Sequence, residues 1–355
     1  MQNIKISIII PLYNVEQHIK KAARSLVEQA FNGLEIVLVD DGSSDNSLLV
    51  FENSLLNLKV KSIRQENQGP GGARNTGIRA ATGEFVMFLD ADDFLLPNAF
   101  TDIHAIISKE KPDIIFGSYN LWTEEKGIIE TKKAITKPPN DPKQLTDYII
   151  GKQPLVSWGP VRYICRHEFL LEHSIFFETG VLCEDIKWSI DLLMAAENNG
   201  GKITFLHEPF YVYNYRRQGS TMNSINPKRL IDLNNTVAYL LTKFIHRPVI
   251  CIALVRESFF YANEFFLLNK EDKELVMESY KKVLPLYTRS KFVFHRIAGK
   301  LQHPFAFFVF SAALYTVKIV RRTFINLCWV LKLNLSNRKE QFLEGTCCCA
   351  NRKRN

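Results

Sequence analysis

The residues best suited to chemistry in this sequence are the carboxylates Asp90, Asp92 and Asp93. They directly follow the apolar segment Phe85–Leu89, whose composition is typical of a buried strand. Carboxylates this close repel one another unless a cation lies among them, and Mg²⁺ typically takes one or two carboxylates together with substrate phosphates. The cluster therefore indicates a divalent-metal site. A solvated turn that caps the following helix is the alternative explanation.

A second polar cluster, Asp40–Asp45, follows the apolar run Leu34–Val39 and precedes a helical pattern. A carboxylate in such a position can accept a hydrogen bond from a nucleotide base or a ribose. An Asx turn with Ser44 or Asp45 as the helix N-cap would account for those two residues. It would not account for Asp40, because a charge at the very end of a buried strand needs partners.

The glycine-rich stretch Gln68–Gly77 is expected to lead into a helix that ends near Thr82. Its glycines allow a ligand to approach closely, and Arg74 can place a guanidinium near phosphates. The stretch is not a P-loop, because no Gly-Lys-Ser/Thr follows. It is also a poor dinucleotide fingerprint, because it does not directly follow the first strand.

An acidic pair, Glu184 and Asp185, stands just before a helical apolar pattern. Paired carboxylates can supply a general base. An acidic first turn that complements the helix dipole is the common alternative. The pair alone therefore does not decide between catalysis and helix stabilisation.

Strand-like and helical patterns alternate along the first 120 residues and are joined by short links. This alternation favours a doubly wound α/β sheet with right-handed crossovers. Ligands bind at the carboxyl ends of the strands in such sheets, and the polar clusters lie at those ends. The predicted strands are Ile4–Ile10, Leu34–Val39, Val60–Arg64, Glu84–Leu89 and Asp113–Gly117.

Four of these motifs, taken in order and spacing, resemble the family 2 glycosyltransferases, which have the GT-A nucleotide-sugar fold. The resemblance is strong over about residues 4–120, looser to about residue 225, and fades beyond. The Gln-x-x-Arg-Trp motif of processive members is absent, which predicts one sugar per encounter. The motifs are Pro11-Leu12-Tyr13-Asn14, Val39–Asp45, Gly69 with Ala73-Arg74-Asn75 and Gly77, and Leu89–Asp93, with looser matches at Trp158, Phe177, Glu184-Asp185 and Tyr215-Arg216-Arg217.

The resemblance implies a GT-A, Rossmann-like, doubly wound and mostly parallel sheet over residues 1–225. The nucleotide-sugar half would cover about 1–120 and the acceptor half about 121–225. A helical, basic C-terminal region would follow over 226–355.

The resemblance also implies roles for individual residues, and one divalent cation, Mn²⁺ or Mg²⁺. Asp185 would be the general base. Asp92 and Asp90 would hold the metal on the diphosphate. Residues implied to bind the nucleotide sugar are Pro11, Tyr13, Asp40, Arg74, Asp90, Glu184, Arg216 and Arg217.

The activity implied is that of an inverting glycosyltransferase that moves one sugar from a nucleotide-diphosphate sugar, expected to be UDP-linked. The acceptor would be a hydroxyl of a glycan or lipid-linked oligosaccharide in surface-polysaccharide assembly, such as capsule, exopolysaccharide or lipopolysaccharide. A sugar nucleotidyltransferase is one alternative, but Pro11–Asn14 lacks its glycine-rich Arg/Lys signature. A non-catalytic, membrane-bound sugar-nucleotide-binding protein is the other.

The charge of the chain is unevenly distributed. Hydrophobic residues make up 46% and charged residues 23% of the 355, which excludes collagen-like and disordered chains. Residues 281–355 hold 15 Lys and Arg against two Asp and Glu, a net charge of +13, whereas residues 1–280 carry −5. An apolar stretch, Phe305–Val317, is too short to span a bilayer. The pattern favours binding to an anionic membrane surface through 281–355 over a core helix or nucleic-acid binding.

The seven cysteines are odd in number, lack a CxxC pair and include the run Cys347–Cys349. They are expected to be reduced thiols. The N-terminus has no basic-then-apolar pattern of a signal peptide. A cytoplasmic protein, peripheral on the cytoplasmic face of the membrane, is therefore expected.

Overall fold

The structure, a computed structural model, describes residues 4–29, 31–55, 58–152, 158–215, 225–261 and 264–289. Its centre is a nine-stranded sheet. The strands are β1 (Ile6–Leu12), β2 (Leu34–Asp40), β3 (Val60–Arg64), β4 (Phe85–Phe88), β5 (Phe94–Leu95), β6 (Ile114–Thr123), β7 (Gly127–Lys132), β8 (Tyr163–Arg166) and β9 (Ile203–Asn214).

The strand order is β3-β2-β1-β4-β8-β6-β9-β5, with β7 paired to β6. The first four strands are all parallel, and β6 is parallel to β9. Strand β8 is antiparallel to both β4 and β6, while β5 and β7 are antiparallel to β9 and β6. The predicted α/β sheet is therefore confirmed, and its parallel character is concentrated in the N-terminal half. The second half is mixed because β6 is followed by a hairpin and not by a crossover helix.

The helices cover both faces of the sheet and form the region after the last strand. The predicted helical character of the C-terminal region is confirmed as far as residue 289. The helices are α1 (Ile19–Val27), α2 (Ser47–Ser54), α3 (Gly69–Ala80), α4 (Ala99–Glu110), α5 (Pro142–Lys152), α6 (His167–Glu172), α7 (Glu184–Asn199), α8 (Pro227–Lys243), α9 (Pro248–Tyr261), α10 (Glu264–Leu267) and α11 (Lys270–Arg289).

Alternate side chains of the buried strands pack into two separate hydrophobic layers. Ile8 and Ile36 face the layer formed with α1, α2 and α4. Ile9 and Val37 face the layer that contains α3, α7 and the C-terminal helices, including Leu233 of α8. Both faces of β1 and β2 are covered, which explains their continuously apolar sequences. The helices after β9 thus share a core with the sheet, while the division at residue 225 stays a prediction.

Helix α3 contains the glycines that were expected to precede it, so the expected start of this helix is wrong. The helix begins at Gly69 and ends at Ala80. A Cβ on Gly77 would lie 2.2 Å from Ile9 Cγ2, and one on Gly71 would lie 2.7 Å from the Glu178 carbonyl oxygen. The glycines therefore serve close packing of a helix between β1 and the chain around residue 178.

The N-cap predicted for the preceding helix is also wrong. Helix α2 begins at Ser47 after Asn46, not after Ser44 or Asp45. The Asp45 carboxylate accepts a hydrogen bond from the Ser47 backbone N–H at 3.0 Å, and another from the Glu16 backbone N–H at 3.1 Å. Asp45 therefore joins the helix start to the loop after β1.

Within the part of the chain that is described, none of the helices combines the length and the apolar character needed to cross a membrane. Most of the basic segment 281–355 lies outside the described residues. The same holds for Phe305–Val317 and Cys347–Cys349.

The packing of α3 on β1 gives a stability prediction. Alanine normally favours a helix over glycine by about 1 kcal/mol. At position 77 the clash with Ile9 should outweigh this, so we expect Gly77→Ala to lower the free energy of unfolding by about 1–3 kcal/mol in urea denaturation. Gly159→Ala is the control, because its Cβ would meet only Val161 Cγ2 at 3.5 Å. A more stable Gly77→Ala protein would contradict the packing argument.

Candidate functional site

The carboxyl ends of β1 and β2 lie side by side, with Leu12 opposite Asp40. The loops that follow them are joined by hydrogen bonds. The Asn14 backbone N–H donates to Ser43 Oγ at 3.1 Å, and the Ser44 backbone N–H donates to Asn14 Oδ1 at 2.9 Å. Asn14 adopts a left-handed backbone conformation, with φ 51°. These two loops therefore form one joined edge.

Three predicted nucleotide-binding residues lie along this joined edge. Pro11 is half-buried within β1, and Tyr13 is 52% exposed in the loop beyond it. Asp40 is only 1% exposed at the end of β2. Its carboxylate accepts a hydrogen bond from the Ser43 backbone N–H at 3.0 Å and lies 3.3 Å from Arg64 Nε. The charge of Asp40 thus has the partners that its position requires.

Arg74 is the buried cation at the centre of the site. From α3 it reaches two acidic residues: its Nη2 lies 2.8 Å from Asp90 Oδ1, and its Nη1 lies 2.6 Å from Glu184 Oε1. Its guanidinium also lies 5.4 Å from the ring centroid of Phe177. Burial alone would lower the pKa of Arg74, but the charges of Asp90 and Glu184 outweigh it and raise the pKa. The structure thus joins three predicted residues from α3, the β4 end and α7.

The acidic cluster after β4 is divided by burial. Asp93 points inward and is 1% exposed, where its carboxylate accepts hydrogen bonds from Tyr211 Oη at 2.5 Å and the Asn214 backbone N–H at 2.8 Å. Burial and the charges of Asp92 and Asp90 raise its pKa. The Asp90 backbone N–H donates to the same Tyr211 hydroxyl at 3.2 Å. The end of β9 therefore holds the acidic loop in place, while Asp90 and Asp92 remain partly exposed.

The residues at this loop fit a divalent cation that is completed by substrate. Within the described ranges, no group of three or more His, Cys, Asp or Glu side chains is arranged as a protein-only metal site. Asp90 and Asp92 offer the hard oxygen donors that Mn²⁺ and Mg²⁺ accept, and Mg²⁺ commonly takes only one or two carboxylates. Asp93 is committed to the hydrogen bonds that hold the loop.

Glu184 and Asp185 begin α7, directly after Cys183, which adopts a left-handed conformation with φ 64°. Glu184 is buried against Arg74, whereas Asp185 is half-buried. Asp185 forms no ion pair with another described residue, and its Oδ1 accepts a hydrogen bond from the Ile186 backbone N–H at 3.0 Å. Burial and the adjacent charge of Glu184 raise the pKa of Asp185 to about 7, although the charge of Arg74 opposes the shift. A carboxylate with this pKa is suited to accept a proton at neutral pH.

Three residues near Asp185 were not singled out from the sequence. Glu257 of α9 is 1% exposed, and burial, with a contribution from the charge of Asp185, raises its pKa to about 8. Burial and the charge of Asp185 also raise the pKa of the Cys183 thiol and of the Tyr261 hydroxyl. No sequence motif marks Glu257 or Tyr261, because the fold brings α9 to this position from far along the chain.

Tyr211 and Asn214, which hold Asp93, were also not singled out from the sequence. Both are polar residues near the end of β9, and that position was the signal that could have found them. Arg216 and Arg217, predicted to contact the diphosphate, lie outside the described residues.

The buried ion pairs give a second stability prediction. We expect Arg74→Leu to lower the free energy of unfolding by about 3–5 kcal/mol, because it leaves Glu184 buried without its cation. Adding Glu184→Gln should recover part of the loss, since the uncompensated charge is then gone. Arg24→Leu, which breaks an exposed pair with Glu28, should change stability little. If urea denaturation showed equal losses of unfolding free energy for Arg74→Leu and Arg24→Leu, the central role of Arg74 would be contradicted.

Comparison with known proteins connects this site to one family. The family model "Glycosyl transferase family 2" matches residues 7–172. Among curated relatives, the poly(ribitol-phosphate) beta-N-acetylglucosaminyltransferase TarS of Staphylococcus aureus is 29% identical over 243 residues, which are 66% of this chain and 40% of TarS. The uncharacterized glycosyltransferase alr2836 of Nostoc sp. is 48% identical over 189 residues, 53% of this chain and 56% of the relative.

A third relative, the uncharacterized glycosyltransferase EpsJ of Bacillus subtilis, is 28% identical over 235 residues, 64% of this chain and 65% of EpsJ. The chain thus spans between two fifths and two thirds of the length of these three relatives. Among solved structures, S. aureus TarS 1-349 in complex with UDP-GlcNAc has a TM-score of 0.66 at 22% identity and covers 90% of this chain and 91% of that chain. This likeness concerns the fold, and it confirms the predicted GT-A architecture. Residues 7–172 of this chain therefore match the glycosyl transferase family 2 in sequence.

Proposed function

We propose that this protein is an inverting glycosyltransferase that moves one sugar from a nucleotide-diphosphate sugar to an acceptor hydroxyl. The observation that carries the proposal is the buried Arg74, which binds both Asp90 and Glu184. Arg74 fixes the distance between two parts of the site. One is the loop with Asp90 and Asp92, which suits a diphosphate and its cation, and the other is the start of α7, which bears Asp185. A transfer reaction needs both parts at a fixed separation.

Asp185 is proposed as the general base. A sugar hydroxyl is a weak nucleophile at neutral pH, and a positioned base contributes roughly 10²–10⁴-fold to such a step. The hydroxyl proton passes to a carboxylate oxygen of Asp185 while the acceptor oxygen bonds to the anomeric carbon and the bond to the diphosphate breaks. Within the acidic pair, Glu184 is engaged by Arg74, so Asp185 is the single base of a direct displacement with inversion.

Asp92 and Asp90 are proposed to hold Mn²⁺ or Mg²⁺ at the donor diphosphate. When bound, such a cation supplies charge stabilisation to the leaving nucleoside diphosphate. Pro11, Tyr13 and Asp40 would bind the nucleoside from the joined edge of β1 and β2. Arg216 and Arg217 are retained as proposed contacts to the diphosphate.

The donor is proposed to be UDP-linked, supported by the UDP-GlcNAc named for the TarS structure. The acceptor is proposed to be a glycan or lipid-linked oligosaccharide of surface-polysaccharide assembly. The net charge of +13 over residues 281–355 supports attachment to an anionic membrane surface, here proposed to be the cytoplasmic face. Nucleic acid is not a proposed partner.

A donor screen tests the binding half of the proposal. Thermal shift with Mn²⁺ and UDP-, GDP-, CMP- or dTDP-sugars should show stabilisation by one nucleotide class, by about 2.7 kcal/mol at 100 times its Kd. EDTA or Asp92→Asn should remove most of this stabilisation, because the diphosphate then lacks its cation. Stabilisation by a nucleotide sugar without any transfer or hydrolysis would favour the non-catalytic binding protein. No stabilisation by any class in folded protein would count against the proposal.

The pH dependence tests the catalytic half. Only the ionised carboxylate accepts a proton, so the rate should rise with pH through about 7 and then level off. Asp185→Asn should lower the rate at pH 8 by roughly 10²–10⁴-fold while keeping the stabilisation by donor. The same variant should unfold at a higher temperature at pH 8, because a raised folded-state pKa means that ionised Asp185 destabilises the fold above its pKa. An undiminished rate in Asp185→Asn would exclude it as the base.

A further inference from the structure

The segment that delivers Asp185 contains two left-handed residues in close succession. Gly180 has φ 72° and Cys183 has φ 64°. Glycine adopts this conformation without strain, but for a residue with a Cβ it costs of order 1–3 kcal/mol. Such a residue keeps the conformation only where surrounding contacts enforce it. The turn from residue 178 to 183 therefore needs external contacts to present Glu184 and Asp185 in one position.

One set of contacts comes from the helix that carries Arg74. The Gly180 backbone N–H donates to the Gln68 carbonyl oxygen at 2.9 Å. Asn75 exchanges two hydrogen bonds with the backbone of Phe177, its Nδ2 donating at 2.9 Å and its Oδ1 accepting at 2.8 Å. These contacts hold the start of the turn to α3. Together with the pair between Arg74 and Glu184, they leave the middle of the turn, from Gly180 to Leu182, to be held from elsewhere.

The second set comes from α8, in the region after the last strand. Lys228 Nζ donates to the Gly180 carbonyl oxygen at 2.6 Å. Asp232 Oδ2 accepts from the Leu182 backbone N–H at 2.9 Å and also from Lys228 Nζ. The two side chains, one turn apart on α8, thus close a ring over the turn between Gly180 and Leu182.

We propose that Asp232 and Lys228 are positioning residues for the base Asp185, acting through the turn formed by residues 178–183. This inference rests on the proposed function. It makes α8 part of the catalytic unit, although α8 lies beyond residues 7–172, which the family model covers.

The burial of the two side chains supports this role over that of an ordinary surface pair. The Asp232 side chain is 13% exposed and that of Lys228 is 53% exposed. Exposed i,i+4 pairs contribute a few tenths of a kcal/mol and leave the backbone elsewhere unaffected. Here the carboxylate satisfies a backbone N–H immediately before the strained Cys183. Helix α8 is itself fixed, because Leu233 and Val237 are buried in the core shared with the sheet.

The environment of Asp185 provides a readout that a purely structural role would not change. Burial and the charge of Glu184 raise its pKa, while Arg74 of α3 and the Ile186 backbone N–H lower it. Glu257, Tyr261 and Cys183 also face this carboxylate, and its charge raises their pKa values. A loosened turn should expose Asp185 to water. The midpoint of the pH–rate profile should then move below 7.

The experiment uses the full chain and compares wild type with Asp232→Ala, Asp232→Asn and the control Glu278→Ala. Glu278 pairs with Lys281 on α11, where both side chains are more than half exposed. Nucleotide release is measured with Mn²⁺ and each of the four donor classes of the screen. Asp232→Ala should lower kcat by roughly 10- to 100-fold, since small displacements of reacting groups have effects of this size. The KM for donor and the donor-induced thermal shift should stay within twofold.

Asp232→Asn keeps an oxygen that can accept from the Leu182 N–H, so it should recover part of kcat. Hydrogen exchange of residues 178–186 should be faster in Asp232→Ala than in wild type or Glu278→Ala, which tests the turn without any donor.

The outcomes separate the two proposals. A wild-type chain that releases no nucleotide from any donor contradicts the proposed function. Active wild type with an unchanged kcat, pH midpoint and exchange rate in Asp232→Ala overturns the positioning role alone. Equal losses in Asp232→Ala and Glu278→Ala would also overturn it, because the effect would then be general destabilisation.

Discussion

The site depends on the ion pairs that the buried guanidinium of Arg74 forms with Asp90 and Glu184. The guanidinium lies inside the protein between two carboxylates that come from distant parts of the chain. Moving three charged groups out of water costs free energy, and their mutual attraction offsets this desolvation only when their geometry is good. Every element that contributes to the arrangement is therefore constrained, from the close packing of α3 on β1 to the point at which α7 begins. The value of the arrangement lies in its fixed geometry more than in net stability.

A second constraint comes from the way in which polar groups are divided between structure and chemistry. Among the acidic residues after β4, Asp93 attaches the loop to β9 and Asp90 pairs with Arg74, while Asp90 and Asp92 both stay partly exposed. At the start of α7, Glu184 is used to bind Arg74 and leaves Asp185 without an ion-pair partner among the described residues. At each place one buried carboxylate serves the structure, and a neighbouring carboxylate stays at least partly exposed.

The sequence alone predicted the parallel half of the sheet well, because strands buried on both faces are continuously apolar and each is followed by a turn. It placed Asp40 and Asp90 at the carboxyl edge of the sheet for the same reason, whereas Arg74 and Glu184 were singled out from a glycine-rich stretch and a helix start. It did not predict the antiparallel insertion of β8, since strand direction depends on partners far along the chain. The start of α3 was placed too late, because intrinsic propensity disfavours glycine in a helix and ignores the space that packing leaves. Contacts from α8, α9 and β9 were invisible, because no local pattern marks residues that meet only in the folded chain.

The joined edge of β1 and β2 has a practical consequence for engineering. Helix α3 has no room for larger side chains at Gly71 and Gly77, so substitutions at these positions are unsuitable for engineering a new specificity. Tyr13 and Ser44, by contrast, are exposed on loops whose backbones are held by Asn14 and Ser43. Libraries confined to these two positions would sample new surfaces. At position 44 they would lose the hydrogen bond from Ser44 Oγ to Asn14 Oδ1 but keep the one from the backbone N–H.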